Sequence, residues 1–473
     1  IYTLWHTLSL HDALPILTTG KEGHRIFHFA YPLLLSNIFL LSYNIVDSII
    51  VGKYLGYTAL AAVGEAFPVI FIAISLIIGY AIGATIIIAQ YFGSKDLAKV
   101  KSTIDTLNVF LFFASVLLSA LGIIFSESIL KIIQAPPDVL PLAKEYLVVY
   151  FSGLLAFFGF HGTSAILRGL GDSRTPLVFI IIASVLNAGL DYLFMGVLHY
   201  GIASAALATI ISQGSAFLGA VVYLNKYHKV IRFSFIRVKF DPKIFRQSIR
   251  IGLPSGLQRT FIGLGMGVLF LIVNRFGTAV AAAYAVVIRI DSVALFIAMS
   301  FATALSTFTG QNLGAGKIAR VRKGLYVTYI MTFSIAALVS LVFVCFSEQI
   351  MAAFSEKQDV IAIGSKYLLI VSPFYIVFSA MSATNGVLRG AGDTLTTMFI
   401  TLFTLLIVRL PASYGLSEYF GEEGIWWGAP IAWSMGCLIS LFFYWRGKWK
   451  TKGVVKPPIE PEVKKDLREM DEF

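Results

Sequence analysis

Apolar residues run along this chain in stretches of about 20 to 30 positions, separated by short polar segments that hold most of its 37 Lys and Arg residues. About 20 consecutive apolar residues, coiled as a helix, cross some 30 Å of hydrocarbon. The pattern predicts twelve membrane spans, at about 26–52, 59–92, 102–126, 140–167, 175–197, 202–224, 248–274, 280–311, 324–347, 366–388, 395–414 and 425–445. Several approach thirty residues, which requires tilt or extension beyond the bilayer. The expected fold class is an all-α polytopic membrane protein.

Six spans lie in each half, and the halves repeat. Arg168-Gly169-Leu170-Gly171-Asp172 recurs as Arg389-Gly390-Ala391-Gly392-Asp393, 221 positions later. The same shift carries Gln90, Gly93 and Val100 onto Gln311, Gly314 and Val321, and Gly56 onto Gly277. Pro32 meets Pro254 with one residue of slippage. So long a period in an apolar chain indicates two homologous membrane bundles. The expected organisation is a six-helix lobe over 17–225, a basic linker over 226–247, a second six-helix lobe over 248–446 and a charged tail over 447–473. Residues 1–16 carry neither the bundle pattern nor a cationic run before an apolar core. They are expected to be a non-native or disordered leader.

Composition narrows the partners. Hydrophobic residues make up 57% and charged residues 13%, with a mean hydropathy of +0.81; a soluble domain would carry about twice that charged fraction. A net charge of +11 would suit nucleic acid, but the basic residues concentrate in the termini and in alternate loops. That asymmetry places both termini in the cytoplasm, under a cell membrane crossed many times. The densest cluster, Lys226 to Arg250, reads as a solvated linker beside anionic headgroups. Membrane lipid and small molecules are the expected partners of a monomeric chain, with no nucleic acid. Cys345 and Cys437 form neither a disulfide framework nor a metal spacing. No ATP-binding module is visible, so uphill work must draw on an ion gradient, and no other cofactor is expected.

Ionisable groups within spans are costly, and each is a functional candidate. Asp47 sits in the middle of span one, with Tyr43 and Asn44 one turn earlier on its face. In span five, Asn187 precedes Asp191 by four residues. Two carboxylates with amide and hydroxyl oxygens nearby make a hard-oxygen site for Na⁺, or for a proton shared by coupled acids. The plainer reading is a pair of buried acids satisfied by neighbouring Asn, Tyr or Ser. Glu65 in span two is either a member of this site or an interfacial residue. His161 in span four is either its neighbour or a hydrogen bonder between helices. In the second half, Leu269 and Ser413 stand where Asp47 and Asp191 map, so the halves share a scaffold but not a chemistry. Arg289 and Asp291 cannot face each other on one helix, and each is expected to have its own partner. Arg409 stands where Asn187 maps; a cation there excludes a second cation site.

Pro32 removes a helical hydrogen bond fifteen residues before Asp47 and gives span one a hinge. The two Arg-Gly-x-Gly-Asp turns follow no strand and precede no Walker lysine, so they are not phosphate loops. Glycine permits the tight turn, while Arg168 with Asp172, and Arg389 with Asp393, are expected to tie neighbouring helix ends as part of an inner gate.

Seven strings, in order, resemble the multidrug and toxic compound extrusion (MATE) transporters over residues 17–450: YNIVDSIIVGKYLG, AAVGEAFPVIF, AQYFGSKD, LRGLGDSRTP, LNAGLDYLF, GQNLGAGK and LRGAGDT. The resemblance implies two six-helix lobes around a V-shaped cavity. It also implies antiport, in which H⁺ or Na⁺ enters as a cytoplasmic organic cation or amphipathic drug leaves. The DinF-like branch carries a first-lobe cation site of two Asp, one Asn and one Thr, which falls here on Asp47, Asn187, Asp191 and Thr209. Its kinking proline falls on Pro32. Other branches place acids in spans seven and ten; span seven here offers Gln258 and Arg259, and span ten has no acid, which favours the first-lobe site. The competing function is a lipid-linked oligosaccharide flippase or polysaccharide exporter, which would line its cavity with cations such as Arg259, Arg289 and Arg409. A membrane-embedded enzyme would need a zinc motif, a Ser/His pair or an acid cluster at one membrane face, and none is present.

Overall fold

The computed structural model describes residues 17–227 and 238–455. The leader over 1–16, residues 228–237 of the linker and 456–473 of the tail lie outside the described residues. Helix α1 (Glu22–Gly93) carries spans one and two and breaks at Gly56, whose φ of 83° suits only glycine. Helix α2 (Leu97–Ile132) starts at Asp96, whose carboxylate accepts from the Lys99 N–H at 3.1 Å. Helices α3 (Leu140–Ser152) and α4 (Leu154–Gly169) form span four, bent by 52° at Gly153. Helix α5 (Arg174–Asp191) runs on through a widened π-turn, Tyr192–Val197, and α6 (Ala203–Tyr227) completes the first lobe.

The second lobe repeats this order with α7 (Pro242–Asn274), α8 (Thr278–Gly314), α9 (Ile318–Cys345) and the short α10 (Ser347–Ala352). Then come α11 (Gln358–Val371) and α12 (Tyr375–Gly390), joined through Ser372–Phe374. Helix α13 (Thr394–Leu402) passes through a π-turn, Phe403–Arg409, into α14 (Leu410–Phe420), and α15 (Glu422–Trp445) closes the bundle. Ten segments are long and apolar enough to cross a membrane, eleven with the bent pair. Because α1 crosses twice, the described residues supply the twelve spans expected. Spans ten and eleven extend beyond their apolar cores, to Gln358–Gly390 and Thr394–Phe420. Their outer turns carry charge, as where Lys366 meets Glu423 at 2.7 Å.

The repeat is visible in the backbone. Left-handed φ occurs at Gly56 and Gly277, at Lys95 and Gly316, and at Gly171 and Gly392, all pairs 221 residues apart. Large apolar side chains such as Phe113, Ile124, Val185, Leu271 and Leu338 are exposed, as a lipid-facing surface requires.

Between the lobes, glycine sets the spacing. A Cβ on Gly79 would stand 2.4 Å from Gly256, and one on Gly83 would stand 2.6 Å from the Ser248 carbonyl. Nearer the end that holds both described termini, a Cβ on Gly93 would stand 1.9 Å from the Gln311 carbonyl oxygen, and one on Gly314 would stand 1.9 Å from that of Gln90. The two glutamines then cross over. Gln90 Nε2 donates to the Gly390 carbonyl at 3.0 Å, and Gln311 Nε2 donates to that of Gly169 at 3.1 Å. Their Oε1 atoms accept from Val454 N–H at 2.6 Å and Leu17 N–H at 2.9 Å. Toward the opposite end, Gly56, Gly64, Gly267 and Gly277 have nothing within 4 Å of a Cβ position. The lobes are sealed at the end bearing the termini.

Candidate functional site

Within the first lobe, α1 and α5 bring Asp47 and Asp191 together. Both carboxylates are buried, and they lie within hydrogen-bonding reach of each other. Asp191 occupies the last position before the π-turn, and Asn187, one turn earlier, is buried beside it. Asp47 Oδ1, both Asp191 oxygens and Asn187 Oδ1 are enclosed with no donor. Carboxylates only accept while ionised, so two of them side by side form no bond until a proton or a metal cation arrives. Among the described residues no three His, Cys, Asp or Glu side chains cluster. The donors are carboxylate and amide oxygens, which suit Na⁺ or H⁺.

Thr209 of α6 is buried, and its hydroxyl meets the Tyr43 hydroxyl at 2.9 Å. Tyr43 in turn stands near enough to both acids to sense their charge. Asn44, placed with Tyr43 by sequence spacing, turns away: it is exposed, and its Nδ2 donates to the Leu40 carbonyl of its own helix at 2.9 Å. Residues three and four before an aspartate flank it on opposite sides, and here only the four-apart residue faces inward. Glu65 has no hydrogen bond or ion pair with these groups among the described residues. His161 is away from the pair as well, with its ring 4.3 Å from that of Phe157 and near Arg168 and Arg259.

Sequence reasoning missed Tyr146 and Tyr150 of α3, which face Asp47. The available signal was their four-residue spacing in an apolar helix. It also missed Gln213, one turn beyond Thr209 on α6, whose buried Oε1 has no donor.

Pro32 keeps helical geometry, and Gly56 is the only non-helical residue inside α1. The proline still lacks the N–H that the His28 carbonyl would use, and Ser36 Oγ donates back to the Pro32 carbonyl at 2.8 Å. This leaves the first turns of span one loosely bonded rather than kinked.

The second lobe satisfies its own acid. Asp291 of α8 is buried and accepts from the hydroxyls of Tyr367 and Tyr375, with Arg409 close by. Arg289 is exposed. Where the first lobe presents the Asn187 amide, the second presents the Arg409 cation, so its acid needs no external charge.

Asp172 accepts from the Arg174 and Thr175 N–H groups at 3.0 Å each, and from the Thr175 hydroxyl at 2.6 Å. Asp393 pairs with Lys452 at 2.7 Å and accepts from the Thr396 hydroxyl at 2.8 Å. Asp172 thus bonds the N–H groups at the start of α5, and Asp393 anchors the C-terminal segment. Cys345 and Cys437 are free thiols.

The family model MatE matches residues 32–193 and 254–414. The chain is 32% identical to "Probable multidrug resistance protein YpnP" of Bacillus subtilis, over 92% of this chain and 97% of that one. It is 27% identical to "FAD transporter" of Shewanella oneidensis, over 88% and 92%. The structure titled "Outward-facing conformation of a multidrug resistance MATE family transporter of the MOP superfamily" covers 93% of this chain and 99% of its own, with a TM-score of 0.86 at 22% identity.

Proposed function

The chain belongs to the MatE family of membrane transporters, and on that premise we propose that it exports small organic compounds in exchange for a single H⁺ or Na⁺ bound between Asp47 and Asp191. The observation that carries this reading is the set of four enclosed oxygens, on Asp47, Asn187 and Asp191, that have no donor. Buried carboxylates with an amide beside them lend themselves to coupling to a small cation rather than to gripping a bulky cargo. The name of the Bacillus subtilis relative supports multidrug efflux. Its substrates would be drug-like amphiphiles, as the sequence resemblance implies.

In the orientation set by the basic loops, the sealed end faces the cytoplasm. A cation entering the first lobe cancels one of the pair's two charges and relieves the repulsion that holds α1 away from α5. The loosely bonded turns at Pro32 and Ser36 let span one move with it. Cargo is released outward, the lobes exchange contacts, and the loaded site discharges inward. One charge moving down a 100 mV potential releases about 2.3 kcal/mol, enough to sustain a roughly fiftyfold gradient of cargo.

The test is transport in proteoliposomes under an imposed pH or Na⁺ gradient, using one cationic fluorophore and one phosphate-bearing fluorophore. Gradient-driven movement of either one, lost in Asp191→Asn at equal incorporation, is the expected result, and the effective gradient identifies the ion. Transport that ignores both gradients, or survives in the variant, rejects the coupling site.

A further inference from the structure

Three arginines gather where the lobes meet, and no carboxylate among the described residues pairs with any of them. Arg168 and Arg389 are repeat equivalents in the last turns of α4 and α12. Each precedes a glycine, Gly169 or Gly390, whose carbonyl is bonded by a glutamine of the other lobe. The two guanidiniums thus start from opposite sides of one seam.

A cationic side chain at the end of a spanning helix ordinarily extends outward to water. Arg168 does the reverse: its Nε donates to the Ser164 carbonyl at 3.2 Å, one turn back, so the side chain runs toward the membrane interior. Arg389 Nε is enclosed and has no acceptor. Arg259 of α7 lies three residues beyond Gly256, which packs against the Leu76 backbone of α1. It is exposed, yet close enough to repel both Arg168 and Arg389. Its exposed side chain therefore borders residues of both lobes, with His161 beside it.

Unpaired cations within a membrane-spanning bundle are expensive to keep, and three close together repel one another. Planar guanidinium forks match the oxygens of phosphate in pairs, which a single lysine cannot do. We propose that Arg168, Arg259 and Arg389 form the recognition site for an anionic group of the cargo, a phosphate or pyrophosphate, between the lobes. The sequence resemblance implied a cationic cargo; the arginines reverse that polarity, while the acid pair in the first lobe stays reserved for the coupling ion. In the orientation proposed above, a cytoplasm-negative potential drives the anion out and the coupling cation in, so both half-steps run downhill electrically. The substrate class rests on the export reading, but its test does not use transport.

The experiment is equilibrium titration of the purified full chain, in detergent at low salt, with inorganic pyrophosphate. Arg259→Gln should weaken binding at least about tenfold, as expected for a lost charge-assisted fork. Arg259→Lys should recover part of that loss, and Arg289→Gln, outside the cluster, should change nothing. Arg168→Gln and Arg389→Gln should weaken binding similarly. If either disturbs the seam and lowers the Tm, the two Arg259 variants carry the test. Farnesyl pyrophosphate distinguishes the source: binding at least about tenfold tighter than that of pyrophosphate supports a lipid-linked anion, and equal binding supports a soluble one. No pyrophosphate binding by the wild type, or equal binding by a folded Arg259→Gln protein, overturns the proposal. Because no gradient is applied, failure here leaves the coupling site standing, and failure of coupling leaves this site standing.

Discussion

Replacing Gly93 by alanine should pry the sealed end open. The added Cβ would lie 1.9 Å from the Gln311 carbonyl oxygen, about 1.5 Å short of an ordinary 3.4 Å contact. The obstructing atom is backbone within α8, so no rotamer change relieves it. Overpacking of this kind costs about 1–3 kcal/mol. Parting the helices also stretches the Gln90–Gly390 and Gln311–Gly169 bonds, each worth about 0.5–1.5 kcal/mol. The sum, roughly 2–6 kcal/mol, falls only on the state in which this end is closed. A shift of about 2.7 kcal/mol alone changes the ratio of two conformations a hundredfold. A cysteine at Thr309, fully buried and adjacent to Gly390, reports the change in a background lacking Cys345 and Cys437. Impermeant maleimide added from the terminal side should label it at least about ten times faster in Gly93→Ala than in the parent. Gly314→Ala should behave alike, because the contact is reciprocal. Unchanged labelling in a folded variant with an unchanged Tm would refute the argument that this glycine pair sets the seal.

Further outcomes follow from single contacts. Tyr367→Phe removes one of two donors to the buried Asp291 carboxylate and should lower stability by about 1–3 kcal/mol, read as a falling Tm in detergent. Lys452→Ala removes the ion pair with Asp393 and loosens the segment that reaches Gln90; it should raise Thr309→Cys labelling less than Gly93→Ala does. Pro32→Ala restores an N–H to the His28 carbonyl and stiffens span one. Turnover should fall in the proteoliposome assay while cation binding by the purified protein is retained.

The span pattern and the repeat were legible because both are properties of many residues at once. A 221-residue shift preserved in glycines and glutamines survives any local ambiguity, and the left-handed pairs at Gly56 and Gly277 and at Gly171 and Gly392 occupy equivalent turns. The site was legible in part. Asp47 and Asp191 were legible as acids of one candidate site; that Thr209 belongs with them came from the family resemblance, since spacing within one helix says nothing about which helices are neighbours. Spacing also ranked Tyr43 and Asn44 equally, and packing against α6 chose Tyr43. In the repeated turns the sequence offers Arg and Asp as ties between helix ends without naming their partners; these are the N–H groups at the start of α5 for Asp172 and Lys452 for Asp393. Tyr146 and Tyr150 offered only their four-residue spacing, a faint signal in a chain with 21 tyrosines.

The central claim is that one cation binds between Asp47 and Asp191. Its most direct test is equilibrium binding of radioactive Na⁺ to the purified protein across a pH series, with proton release followed in the same samples. The account predicts one saturable equivalent, either Na⁺ competing with a proton or a proton alone, abolished in both Asp47→Asn and Asp191→Asn while the Tm shows a folded protein. Wild-type binding retained in either folded variant would contradict it.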